Sequence, residues 1–327
     1  MRTRQVLYRL LFGCCALAPA ACTPPAVDRA GEPLRVVATI GMISDVARIV
    51  GGEHVDVEGL MGPGVDPHLY KASAGDVRRL ARADLVLYNG LHLEAAMGEV
   101  LEEMGRRKHT VAVTERIPRE VLTAPPEFQG NYDPHVWFDV RLWMYATESV
   151  IEALVESDPA HAADYRARGA ALLEEMAALD AWVREQVAQV PPSQRVLVTA
   201  HDAFGYFGRA YGFEVKGLQG ISTASEAGTA DVQRLAADIA ARRIPAVFVE
   251  SSIPTRTIEA VQAAVRSRGF DVQVGGSLYS DAMGDAGTVE GTYLGMVRHN
   301  VSTIVGALRG GRVTSGEHTS GEWTAGG

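Results

Sequence analysis

The chain has 327 residues, 47% of them hydrophobic and 22% charged, with a net charge of −9 at pH 7 and a pI near 5.5. That is an ordinary globular composition, able to bury a sizeable core in one large domain or two smaller ones. No basic stripe is visible, which argues against nucleic acid as a partner, and no run beyond the N-terminal segment approaches transmembrane length.

Residues 1–21 read as an export signal. Arg2, Arg4 and Arg9 give a positive start, Leu10 to Leu17 is a compact apolar stretch, and Pro19-Ala20-Ala21 leads into Cys22. This is the pattern of a secretory leader. Cleavage before Cys22 would leave an N-terminal cysteine, resembling a bacterial lipoprotein signal with a lipid anchor on Cys22; cleavage after Ala20 would give plain secretion. All three cysteines (Cys14, Cys15 and Cys22) lie here, so the mature body has no disulfide framework and no thiolate metal site. Three arginines leave with the leader, taking the side-chain charge from −9 to −12.

Residues 22–33, rich in Pro, Ala and Gly, read as a flexible tether. Arg35–Ile40 is a first strand and Ile43–Val50 a helix stopped by Gly51-Gly52. Val55–Leu60 is a second strand. Ser73–Ala83 has the spacing of an amphipathic helix, with Val77, Leu80 and Ala81 on its apolar face. Asp84–Tyr88 is a buried strand, Leu93–Met104 a helix and Val111–Val113 a short strand. Strands alternating with helices indicate a parallel sheet. Ile117–Tyr132 is a loop, and Arg141–Ser157 a helix.

Pro159 then opens a second helix that runs to Val190, roughly 45 Å long, before Pro191-Pro192 ends it. A helix of that length between two α/β units suits a strut. The second half repeats the style of the first. Strands at Val196–Ala200, Ala246–Val249 and Val272–Leu278 alternate with helices at Ala203–Tyr211, Asp231–Arg242, Thr255–Arg268 and Val289–Leu308. The expected organisation is an α/β fold with mainly parallel sheets: an N-terminal lobe over 34–158, a linking helix over 159–190, a C-terminal lobe over 191–309 and a disordered tail over 310–327.

The chemistry concentrates in a repeated motif. Asp66-Pro67-His68-Leu69-Tyr70 returns as Asp133-Pro134-His135-Val136-Trp137, 67 residues later. Proline fixes its own φ and drives the preceding Asp out of the helical region, so each His follows a stiff corner. His201 follows the strand Val196–Ala200, and Asp281 follows Val272–Leu278 with Tyr279 and Ser280 between. Ligands in open α/β sheets bind beyond the carboxyl ends of strands. Three imidazoles and one carboxylate form a set fit for a borderline divalent ion. Taken singly, a loop histidine is more often solvated than a ligand. His54, His109, His161, His299 and His318 read that way, and His92 as a packing residue.

With these stretches in view, the chain resembles the TroA-like solute-binding family, the metal-binding proteins of bacterial ABC importers for zinc and manganese. The similarity runs through Val37–Ile40, Gly64–Tyr70, Ala83–Gly90, Asp133–Trp137, Thr199–Phe207 and Gly276–Asp281, spanning residues 34 to 309. It implies two α/β lobes joined by one rigid long helix, with one Zn²⁺ or Mn²⁺ in the cleft between them. It carries ligand roles onto His68 and His135 from the first lobe, and His201 and Asp281 from the second. Asp66, Asp133, Glu226 and Glu250 are candidates to orient those ligands.

Two departures bear on the metal. Some relatives place Glu where His201 stands, an oxygen-richer set suited to Mn²⁺, whereas imidazole favours Zn²⁺. Many zinc-specific relatives also carry a His-rich loop in the first lobe, and Glu115–Tyr132 has no histidine. The implied protein is an exported, periplasmic or cell-surface monomer, not an enzyme, that hands its ion to a membrane permease driven by a separate ATPase. Two other classes fit an exported metal site. One is a metallohydrolase, which would need an open coordination position and a general base; no His-Glu-x-x-His or Gly-x-Ser-x-Gly motif appears. The other is an adhesin whose metal is structural, which would unfold when stripped.

Overall fold

The computed structural model describes residues 31–309. The leader, Cys22 and the C-terminal tail lie outside the described residues. The first lobe is built on a four-stranded parallel sheet in the order β2-β1-β3-β4: β1 (Leu34–Ala38), β2 (Val55–Gly59), β3 (Leu85–Tyr88) and β4 (His109–Ala112). Val36 lies opposite both Val57 and Leu85, and Leu87 opposite Val111. Parallel neighbours require crossover connections. These are α1 (Gly41–Gly51), α2 (Ala74–Arg82) and α3 (Gly98–Gly105). Asp84 clamps the start of the sheet, accepting from the Arg35 backbone N–H at 3.1 Å, from Nε at 3.0 Å and from Nη2 at 2.7 Å.

Helix α2 departs from the expected face. Val77 and Ala81 are exposed, and Asp76 is buried beside Leu80. Ser73 and Asp76 form a reciprocal capping box. Asp76 also accepts from Tyr70 Oη at 2.9 Å and pairs with Arg79. A charge with three partners can be buried where an unpaired one could not. Helix α3 starts later than its apolar spacing suggested, because Ala95–Met97 forms a 3₁₀ turn before Gly98.

Two helices follow. These are α4 (Val140–Ser157) and α5 (Ala162–Ala188); the 27 residues of α5 span about 40 Å. Its buried residues Tyr165, Gly169, Leu172, Met176, Leu179, Val183 and Val187 recur at steps of three and four, a single seam along one side. A Cβ on Gly169 would sit 2.4 Å from Ile151 Cδ1, so glycine lets α4 and α5 approach closely. At one end Arg168 donates to the carbonyls of Val50 and Gly51, both at 3.0 Å. At the other, buried Asp180 accepts from Arg141, Arg184 and Tyr211. One helix is thereby fixed to both lobes.

The second lobe contains β5 (Val196–His201), α6 (Gly205–Tyr211), β6 (Glu214–Gln219), α7 (Thr229–Arg242), β7 (Ala246–Glu250), α8 (Arg256–Arg266), β8 (Gln273–Leu278) and α9 (Tyr293–Leu308). β5 pairs with β6 and β7 with β8, both parallel, and β5 lies beside β7. Strand β6 is invisible to an apolar-run reading because Glu214, Lys216 and Gly217 interrupt it. Side chains of β5 and β7 alternate between two cores. Leu197, Ala246 and Phe248 enter a cluster continuous with the first lobe, and Val196, Val198, Ala200 and Val247 enter a separate cluster with Leu235, Ile239, Ile258 and Val261. A period of two with both faces covered is the reason these strands read as unbroken apolar runs.

The lobes therefore share a core on one side of the cleft. Phe138 stacks on Phe204 with centroids 4.1 Å apart. Trp137 Nε1 donates to the Ser280 carbonyl at 3.1 Å, and Tyr206 Oη donates to the Asp133 carbonyl at 3.0 Å. Helix α9 adds a further tie. The Tyr293 N–H donates to Asp45 Oδ2 and its hydroxyl to the Trp137 carbonyl, both at 2.8 Å.

Candidate metal centre

Each Asp-Pro-His builds the same corner. Asp66 Oδ1 accepts the His68 backbone N–H at 2.9 Å, and Asp133 Oδ1 accepts that of His135 at 3.0 Å. An Asp carboxylate accepting the N–H two residues ahead closes a short turn, which the intervening Pro stiffens by fixing its own φ. The second motif goes further, since Asp133 Oδ1 also takes His135 Nδ1–H at 2.7 Å. His201 is the last residue of β5 rather than the residue after it, and Glu250 ends the adjacent β7. Glu250 accepts the His201 backbone N–H at 2.9 Å and its Nδ1–H at 2.5 Å. Asp281 lies three residues past β8.

The structure brings His68, His135, His201 and Asp281 together, with one donor atom from each lying within 4.8 Å of all the others. His68 Nε2 is 3.2 Å from His135 Nε2. Asp281 Oδ1 is 3.3 Å from His135 Nε2, and Oδ2 is 3.2 Å from His201 Nε2 and 3.6 Å from His68 Nε2. All four residues are buried. Asp133 and Glu250 take the Nδ1 protons of His135 and His201, which turns both Nε2 atoms toward the centre.

Burial and pairing oppose each other here. Burial holds the His68 imidazole down at about 3, only partly offset by Asp281. Burial also works against protonating His135, but Asp133 and Asp281 outweigh it and lift that ring to about 9. His201 is raised against burial by Glu250 and Asp281. Asp281 is kept well below the usual carboxylate range, burial notwithstanding, by His201 and His135.

His201 Nε2 and both oxygens of Asp281 are buried without a hydrogen-bond partner. Orphaned polar atoms cost free energy unless something meets them, and three imidazole nitrogens with a carboxylate fit a single divalent cation.

Asp66 faces the other lobe, its Oδ2 accepting from Thr223 Oγ1 at 2.6 Å. Glu226, expected near the ligands, is exposed. It lines a pocket of about 510 Å³ with Asp66, Leu69 and Thr223 instead. Sequence reasoning passed over Thr223, because Ser222–Ser225 reads as an ordinary polar loop. Of the remaining histidines, His54 is not simply solvated. It stacks on His161 with centroids 3.9 Å apart and pairs with Asp164 at 2.9 Å, outside this group.

A family model described as zinc-uptake complex component A, periplasmic, matches residues 36–307. The chain belongs to this family. It is 56% identical over 278 residues to the zinc-binding protein TroA of Treponema pallidum, covering 85% of this chain and 89% of that protein. It is 50% identical over 288 residues to the manganese-binding lipoprotein MntA of Bacillus subtilis, covering 88% and 94%. The solved structure of the periplasmic zinc-binding protein TroA from Treponema pallidum superposes with a TM-score of 0.83 over 85% of this chain and 99% of that one. The fold is thus the family's two-lobed α/β architecture, and further relatives are named as substrate-binding lipoproteins of metal ABC transporters.

Proposed function

We propose that this chain is the extracytoplasmic receptor of an ABC importer, capturing Zn²⁺ or Mn²⁺ between its lobes and delivering it to a membrane permease powered by a separate ATPase. His68, His135, His201 and Asp281 hold the ion. Asp133 and Glu250 fix the tautomers of their imidazoles, and Asp66 braces the backbone at His68. The observation that carries this reading is the cluster of orphaned atoms, His201 Nε2 and both Asp281 oxygens, facing two further imidazoles in a buried centre. A cation satisfies all of them at once. The ion is cargo, with no covalent bond made or broken. Cys22 carries a lipid that tethers the monomeric body to the membrane, in keeping with relatives named as lipoproteins.

Zinc and manganese both remain substrates of this site. Three imidazoles favour Zn²⁺ by ligand type and by the Irving–Williams order, while a chain half identical in sequence is named for manganese. The test is competitive titration of the stripped mature protein with Zn²⁺ and Mn²⁺, beside His201→Glu. Tight one-to-one binding, with the variant losing zinc more than manganese, supports the assignment. Failure of the stripped protein to bind either ion, or a variant indistinguishable from wild type, overturns it.

A further inference from the structure

The two sides of the cleft are held very differently. On the His135 side the lobes share an apolar core, Phe138 lies on Phe204, and Trp137 and Tyr206 donate across the boundary. On the His68 side, Leu60 and Met61 at the base of the segment belong to the same apolar cluster, but the residues next to His68 are tied across the cleft by polar contact. Among the described residues, the segment 60–73 makes one hydrogen bond to the second lobe, from Thr223 Oγ1 to Asp66 Oδ2 at 2.6 Å. Thr223 is buried, on the connection between β6 and α7. The same Asp66 carboxylate, through its other oxygen, accepts the His68 N–H. Thr223 thus reaches His68 through one shared carboxylate. Asp66 and Thr223 also form part of the wall of the 510 Å³ pocket, which His68 itself does not line.

We propose that the Thr223–Asp66 hydrogen bond is the latch of the cleft: Thr223 positions His68 through Asp66, and release of the ion begins at His68 when this bond breaks. The inference rests on the metal-receptor reading above and adds to it the element that sets residence time. With His135, His201 and Asp281 anchored around the shared core, His68 is the ligand whose immediate segment is tied to the second lobe by one hydrogen bond, with Leu69 beside it exposed. A hydrogen bond to a charged acceptor, removed without replacement, changes an equilibrium by roughly ten- to a hundredfold, and that factor falls on the off-rate when the bond must break for release.

The experiment loads stripped protein with Zn²⁺ and follows its release into excess 4-(2-pyridylazo)resorcinol by stopped flow, for wild type, Thr223→Val, Thr223→Ser, Asp66→Ala and the Asp66→Ala/Thr223→Val double variant. Thr223→Val keeps the shape and removes the hydroxyl. It should release zinc about ten- to a hundredfold faster, with the association rate and the melting temperature of the metal-free protein unchanged. Thr223→Ser should restore slow release, and the double variant should release no faster than Asp66→Ala. Release from Thr223→Val at the wild-type rate, with zinc still bound, overturns the latch and leaves the metal site standing. Absence of zinc binding by the wild type overturns the receptor reading itself. Should Thr223→Val not fold, Asp66→Ala decides, since release from it at the wild-type rate also overturns the latch.

Discussion

Glu250 grips His201 at two points, its Oε1 on the backbone N–H at 2.9 Å and its Oε2 on the ring Nδ1–H at 2.5 Å. Asp133 treats His135 the same way with a single oxygen. Backbone and ring are locked together, so the imidazole cannot rotate without the end of the strand moving. We predict that Glu250→Gln, which preserves size but removes the charge and can present its amide N–H₂ to the ring, weakens zinc binding about 10- to 100-fold. Calorimetric titration checks this. An unchanged Kd would show that the pair is only structural.

A second prediction concerns protons. Asp133 and Asp281 raise His135 to about 9 against burial, and Glu250 and Asp281 raise His201. Between pH 6 and 8 the metal-free site therefore holds protons that a cation must displace, since Nε2 cannot carry both. Affinity should rise at least about tenfold per pH unit across that window, and the dependence should become shallower above about pH 9, where His135 no longer carries the extra proton. Titrations in buffers of different ionisation enthalpy count the protons released. A count of zero at pH 7 contradicts the arrangement.

Much of this site was legible in the chain because its signals are local. The repeated Asp-Pro-His marks two corners, and His201 closes an unbroken apolar strand that needs no partner to recognise. What was hidden depends on contacts far apart in sequence. Asp76 looked like a solvent-facing charge on α2, but Tyr70 and the capping Ser73 bury it and leave Val77 outside. Strand β6 carries too many polar residues to announce itself and forms because β5 offers an open edge. Thr223 meets the site through its hydrogen bond to Asp66, 157 residues away. Glu226, chosen for its charge and neighbourhood, is exposed and lines the pocket beside Asp66 and Thr223.

Asp76 supplies a stability prediction. Burial pushes its carboxyl up, but bonds from Ser73, Tyr70 and Arg79 outweigh that and hold it at about 2, against about 3.9 in an unfolded chain. A depressed folded value stabilises above the unfolded pKa and ceases to do so as pH falls through the folded one. Asp76→Asn should cost roughly 2 kcal/mol at pH 7, and the gap from wild type should shrink steadily from pH 4 toward pH 2. Urea unfolding of the metal-free protein at several pH values measures it. A gap that stays constant down to pH 2 would mean that shape, not charge, is what Asp76 contributes.

The last prediction tests how β6 supports the site. Gly217 pairs with Thr199 on β5, two residues before His201. A Cβ placed on it would meet the backbone N of Asp202 at 2.5 Å and its Cα at 2.7 Å. Backbone cannot step aside as a flexible side chain can, so Gly217→Ala must push β6 away from the turn that follows His201. Overpacking of this kind costs about 1–3 kcal/mol, and here the displaced residue adjoins the proposed ligand His201. The variant should therefore lose both stability and zinc affinity. Gly220→Ala, where a Cβ meets nothing within 4 Å, should lose neither. Thermal unfolding of the stripped and zinc-loaded proteins reads both effects, because bound ligand stabilises the fold by an amount that grows with the logarithm of its affinity. If Gly217→Ala lowers the stripped midpoint but keeps the full zinc-induced rise, β6 supports the lobe without positioning His201.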